Sequence, residues 1–393
     1  MKISESNRSE IFRASRVYGR IVRAATGLSV IGALSLLGSG CSVETGALQE
    51  PDTGTETQAL HENAWRNWSS REASTAINDE PTICSNTVGY VVGVRNSDQR
   101  YYLKRTSFST NPNWKQFGTK TFSSPPSCSM QYAYPDTNPL FLLAGKGTDN
   151  RIYVIEGTLP TATDLVPPNP DWTGPWAQVS SSEFSGSSNG RPALGTNNSR
   201  VVLTYLNNNR IYARYRNLPY GSNSWSSVVT APQFPAGVTV TGIPAITYVR
   251  GSTNRFTIMV RGTNAGATGL YWIYFTGTAF QGSWGQAFIP GTISSDPAME
   301  YDTVYNALTL YYRSGNEVIQ TSVAHPGELG SRPFWPIPNL ASTTVLGAPR
   351  VVFGGGIEGN RAAVIRGHDS AIPTANKNRG HLLAEVFHAP SPW

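Results

Sequence analysis

Five basic side chains recur at one position of a repeating pattern: Arg95, Lys146, Arg261, Arg313 and Arg366 each close an apolar stretch and open a polar turn. A tryptophan comes later in the same units, at Trp114, Trp176, Trp284 and Trp335, and Trp225 serves a unit whose basic position is taken by Leu206. A cation donates hydrogen bonds to hydroxyls and an indole stacks on an apolar C–H face, which together can hold a sugar. The same pair also builds ordinary structure, with the ring filling space between sheets and the guanidinium lying over it. A residue repeated in every unit suits packing as well as binding, so both roles stand.

Three places break the repetition, and catalysis needs one constellation instead of six. They are the Pro- and Asp-rich insertion Leu159–Pro175, the run Glu300-Tyr301-Asp302, and His368-Asp369 with the long loop up to His381. Two carboxylates flanking a scissile bond would serve a glycosidase. Glu300 and Asp302 alternate onto one side of a strand and suit a channel wall, where solvated or paired charges are the ordinary occupants. His368 and Asp369 occupy the recurrent turn. Three Cys and five scattered His offer no metal-ligand spacing. Gly354-Gly355-Gly356 lacks the Lys and helix of a phosphate loop. No metal and no cofactor are expected.

The elements that carry these residues form a repeat with a period near 50 residues. A Pro opens an apolar strand a at Pro81, Pro126, Pro192, Pro244, Pro297 and Pro349. Strand b then runs into turns such as Arg95-Asn96-Ser97-Asp98, Arg261-Gly262-Thr263-Asn264 and Arg366-Gly367-His368-Asp369. Asn, Asp and Gly there accept positive φ, as a tight hairpin requires. Strand c alternates apolar and polar residues, and the Trp marks a short strand d. The sixth unit ends after His381–Phe387 with no strand d of its own. Asn67-Trp68-Ser69-Ser70 near the other end looks like Ser224-Trp225-Ser226-Ser227 and supplies it. The expectation is an all-β, six-bladed β-propeller over residues 61–393, its last blade closed by an N-terminal strand.

A strand-b Arg, a strand-c aromatic and a strand-d Trp around such turns resemble the propeller lectins: the six-bladed fucose-binding lectins, the tectonins and related bacterial lectins. The resemblance covers the whole propeller and implies monosaccharide sites between adjacent blades, cations on sugar hydroxyls and a ring against the sugar face. By position it implies Arg95, Lys146, Arg261, Arg313 and Arg366 with Trp114, Trp176, Trp225, Trp284 and Trp335 as ligand-binding residues. The fucose-binding family also places a Glu in its site, and none repeats here. The Ser-x-Asp-x-Gly-x-Thr-Trp turns of the six-bladed sialidases are absent as well.

Residues 1–40 combine basic residues with an uncharged apolar run from Ala24 to Leu37, the parts of an export signal. Leu37-Gly38-Ser39-Gly40-Cys41 resembles a bacterial lipobox, which implies lipidation at Cys41. A polar tether, 41–60, would hold the propeller off a membrane. Export places Cys84 and Cys128 in an oxidising compartment, where a pair bridges. The net charge of +6 comes from 31 Lys/Arg against 25 Asp/Glu. Six of those cations and two of the acids lie in residues 1–40, so the leader carries +4 and the remainder +2. That leaves no support for nucleic-acid binding. The reading is a cell-envelope lipoprotein, outer-membrane-anchored and monomeric, whose noncatalytic propeller binds carbohydrate or a glycoconjugate. A glycoside hydrolase or lyase with one asymmetric site and a protein-interaction scaffold are its alternatives.

Overall fold

In the computed structural model the described residues are 69–77, 79–86, 89–106, 115–116, 118–130, 140–158, 177–178, 191–197, 199–217, 224–249, 255–287, 289, 292–302, 307–323, 325–326, 335–337, 343–353, 361–369 and 381–387. The expected export signal and tether, Cys41, Trp68, Trp114, Trp176 and the Leu159–Pro175 insertion lie outside them.

Six antiparallel sheets follow one another along the chain, and they are the blades of a six-bladed β-propeller. Blade one is β2 (Thr82–Asn86), β3 (Gly89–Arg95), β4 (Tyr101–Thr106) and β5 (Lys115–Gln116). Blade two is β6 (Ser127–Met130), β7 (Leu140–Lys146), β8 (Ile152–Thr158) and β9 (Ala177–Gln178). Blade three is β10 (Ala193–Thr196), β11 (Arg200–Asn207), β12 (Arg210–Asn217) and β13 (Val229–Thr230). Blade four adds β14 (Val238–Val240) to β15 (Ala245–Tyr248), β16 (Arg255–Asn264), β17 (Ala267–Thr276) and β18 (Ala279–Ala287). Blade five is β19 (Ala298–Asp302), β20 (Ala307–Ser314), β21 (Glu317–Val323) and β22 (Trp335–Ile337). Blade six is β23 (Thr343–Val345), β24 (Arg350–Phe353), β25 (Arg361–Asp369) and β26 (His381–Phe387), and β1 (Ser69–Ala76) lies antiparallel to β26 with Ser69 opposite Ala384.

The b–c turns owe their shape to local residue chemistry. Asn208 and Asn209 at φ 46° and 57°, and Ala265 and Gly266 at 49° and 85°, make two-residue turns with both φ positive, matching the strand twist. In blade five only Gly315 is positive, at 59°, as a turn with Gly first requires. Two expected turns are displaced. Arg261–Asn264 and Arg366–Asp369 are strand, because β14 and β23 pair with the far ends of β16 and β25 and prolong them. His368 thus faces Thr344 across a ladder instead of sitting in a turn.

Alternation along strands b and c sends each blade's two faces to opposite neighbours, and the core divides accordingly. Separate apolar clusters join blades one and two around Tyr101 and Phe141, two and three around Leu203, three and four around Phe256, four and five around Leu310, and five and six around Tyr311. Turn asparagines staple consecutive blades. Asn209 accepts from Val240 N–H at 2.6 Å and donates to the Val238 carbonyl at 3.1 Å, and Asn316 accepts from Val345 N–H at 2.7 Å. Cys84 and Cys128 form a disulfide between the first strands of blades one and two, their Cα atoms 5.9 Å apart. In the chain-entropy picture a loop of its 44-residue separation stabilises by about 4 kcal/mol.

Candidate functional site

The basic residue ending strand b meets the residues just ahead of strand a, since the two strands run antiparallel. Arg95 pairs with Asp79 and donates to the Phe122 carbonyl at 2.8 Å. Arg261 lies 3.4 Å from Asp296. Arg313 donates to the carbonyls of Ser294 at 3.1 Å and Val345 at 3.3 Å. Lys146 is buried, which lowers its pKa. Arg366 is half-buried, and its own carbonyl accepts from Leu346 and Gly347 N–H. Blade three, with Leu206 at this position, supplies its cation from the other strand. Ala193 pairs with Thr204, so Arg191, two residues before Ala193, falls beside Leu206. Each blade therefore contributes one cation to the same end of the channel.

Three more charges join this layer, and sequence reading passed over them: Glu80, Asp296 and Arg350. With Arg191 they share a signal, a position next to the repeated Pro, which had been read only as the start of strand a. Arg191 donates to Glu80 at 3.1 Å and to the Pro126 carbonyl at 2.7 Å, and Arg350 reaches Glu80 at 3.6 Å and the Pro297 carbonyl at 3.1 Å. Burial alone would raise the Glu80 carboxyl, but Arg350 and Arg191 hold it below the ordinary value. Asp296 goes the other way, pushed up by burial and by the Glu80 charge. Arg191 and Arg350 line a central cavity of about 100 Å³ together with Thr82, Ser127, Ala245 and Ala298.

The two strand-d tryptophans whose side chains are described, Trp284 and Trp225, have partners other than these cations. Trp284 is 7% exposed, stacks on Phe234 with centroids 4.2 Å apart, and donates to the Pro232 carbonyl at 2.9 Å. Trp225 stands ahead of β13, with the Arg216 guanidinium 5.3 Å from its ring centroid. Trp335 begins β22, opposite Gln320. Glu300 is buried between blades, accepting from the Tyr311 hydroxyl at 2.8 Å, and is absent from the cavity wall formed by its neighbours Ala298 and Met299. Asp302 ends β19 opposite Ala307, and Asp369 pairs with Thr343.

A different aromatic group opens between blades four and five. Strand alternation puts Trp272 and Tyr274 of β17 on the face toward blade five, where His325 follows β21. Trp272 packs edge-on against His325 at 4.9 Å and tilts against Tyr274 at 5.1 Å, while the Tyr274 and His325 rings are 5.7 Å apart. The Arg255 guanidinium lies 4.6 Å from the Tyr274 ring centroid. All four side chains are half-buried. The Trp272 indole lies flat on β18, where a Cβ at Gly285 would come within 2.5 Å of it, so only glycine fits beneath the ring. Its Nε1–H is buried with no protein acceptor among the described residues. Cation, stacking rings and imidazole thus converge in one half-buried cluster. The alternation within Leu270–Phe275 carried the signal, but attention to the strand-d Trp concealed it.

Among the described residues no group of His, Cys, Asp and Glu could hold a metal ion, and no helix is long and apolar enough to cross a membrane. No protein-family model and no curated protein matches the chain. Solved structures do. The fold is similar to that of AofleA from Arthrobotrys oligospora, with a TM-score of 0.51 and 11% identity over 81% of this chain and 85% of that one. It is similar as well to the fungal lectin of Aleuria aurantia, described as a six-bladed β-propeller with a novel fucose recognition mode. There the TM-score is 0.50 and the identity 12%, over 80% of this chain and 98% of that one. Likeness at these identities is likeness of fold, and the fold it identifies is the six-bladed propeller.

Proposed function

We propose that this protein is an exported carbohydrate-binding propeller whose saccharide site is the cleft between blades four and five. One observation carries the reading: Trp272 presents a half-buried ring beside Tyr274, Arg255 and His325. A pyranose places its C–H face on such a ring and its hydroxyls on such donors. A neighbour in fold, the Aleuria aurantia lectin, is described as fucose-specific, and a saccharide ligand fits the same architecture here. Lipidation at Cys41 and the 41–60 tether would anchor the propeller as a monomer at the cell envelope, so that it presents its rim to glycans without cleaving them.

The test is a glycan array followed by calorimetry on the best saccharide. Saturable binding to a neutral saccharide that is lost in Trp272→Ala and kept in Trp225→Ala is expected. An array without hits at high protein concentration would sink the reading.

A further inference from the structure

The charge layer at one end of the channel has more cation than its own carboxylates can match. Arg191 and Arg350, from blades three and six, line one cavity and share a single carboxylate, Glu80. Beside them Arg261 has Asp296 at 3.4 Å, while Arg313 feels the Glu80 charge and spends its donors on carbonyl oxygens. Arg95 is already neutralised by Asp79. With Arg366, whose charge also acts on Glu80, five guanidiniums therefore stand near two carboxylates. The Nε–H groups of Arg350, Arg261 and Arg313 are buried without protein acceptors among the described residues. Burial and the neighbouring Arg350 both work against the charge on Arg191, and burial together with the Glu80 charge works against the charge on Asp296. Guanidinium forks are shaped for two-oxygen acceptors and bind them more strongly than single point charges do. Ser127 and Thr82 carry hydroxyls on the same wall, the Thr82 one accepting from Cys128 N–H at 3.2 Å, and besides the two arginines the other side chains lining it are apolar.

We propose that the channel end is a binding site for a compact oxyanion, a carboxylate, sulfate or phosphate group, received by Arg350 and Arg191 with Arg261 and Arg313 flanking. The site is separate from the cleft between blades four and five and does not depend on it. Glu80 is its internal competitor, pairing with the same two guanidiniums.

The full chain is titrated calorimetrically with sodium sulfate, sodium phosphate, sodium glucuronate and sodium acetate, each at ionic strength matched with sodium chloride. One saturable site per chain is expected for at least one of them. Arg350→Gln weakens it tenfold or more, Trp272→Ala leaves it unchanged, and Glu80→Gln tightens it several-fold by removing the competitor. The Glu80→Gln arm decides the matter if Arg350→Gln does not fold by circular dichroism. Glucuronate binding more tightly than acetate and sulfate assigns the anion to an acidic saccharide, whereas tighter sulfate or phosphate assigns a free inorganic ion. Absence of any saturable response beyond chloride overturns the proposal. So does an affinity that neither Glu80→Gln nor Arg350→Gln alters.

Discussion

The interface between blades three and four carries the same pair as the interface between blades four and five, at the same register, yet closes over it. Arg200 and Arg255 each begin strand b, and Tyr215 and Tyr274 stand opposite the second residue after them. The guanidinium-to-ring distances agree, 4.7 Å and 4.6 Å. What differs is the facing blade. Tyr215 meets Phe275 at 6.1 Å, and Arg200 is tied to the Gly277 carbonyl and to Asn217. One blade on, the ladder positions of Phe275 and Gly277 belong to Val323 and His325. A smaller aliphatic and an imidazole take their places, while Trp272 occupies the place that Ala213 holds in blade three. A repeated motif becomes a candidate site here only through its neighbour.

Six substitutions probe that contrast. Trp272→Ala is expected to reduce saccharide affinity about 30-fold, from a loss of roughly 2 kcal/mol of stacking and desolvation, while Ala213, its counterpart, accepts Ser without effect on calorimetric affinity. Val323→Phe imports the closing residue of the earlier interface. It should cost affinity about tenfold in the same assay, with overpacking of about 1–3 kcal/mol visible in urea unfolding. Arg200→Ala breaks the closed pair and should lower stability by about 1–2 kcal/mol at unchanged affinity, whereas Arg255→Ala should lose several-fold in affinity. Reversed outcomes for these two arginines would assign the open and closed roles the other way round. Gly285→Ala lifts the indole off β18, and a loss of two- to five-fold is expected, about 0.5–1 kcal/mol, with a shift in Trp fluorescence.

Much of this contrast was out of reach before the blades were assembled. Period, turn residues and the proline-led strands were legible because they act within one blade: Asn208-Asn209 and Ala265-Gly266 turn the chain by their own φ preferences. The pairing of Cys84 with Cys128 was legible because both open strand a in successive units. Trp284 was harder to read, since an indole that stacks on Phe234 and one that awaits a sugar have the same local pattern. The strand-b cations were ambiguous in the same way. Whether Arg261 faces solvent or Asp296 depends on a residue in the next blade.

By itself, then, the sequence determined the number of units, their strand order and the line of cations, including the gap at Leu206. Strand alternation and turn chemistry are local, and a repeat makes them visible several times over. Only the tertiary structure decided that Arg191 fills that gap from the opposite strand, that Arg350 joins it in one cavity, and that Trp272 packs with His325 between blades four and five. Those are contacts across blades. Their energies depend on which side chains from distant segments share a space, and periodicity along one strand contains no record of that.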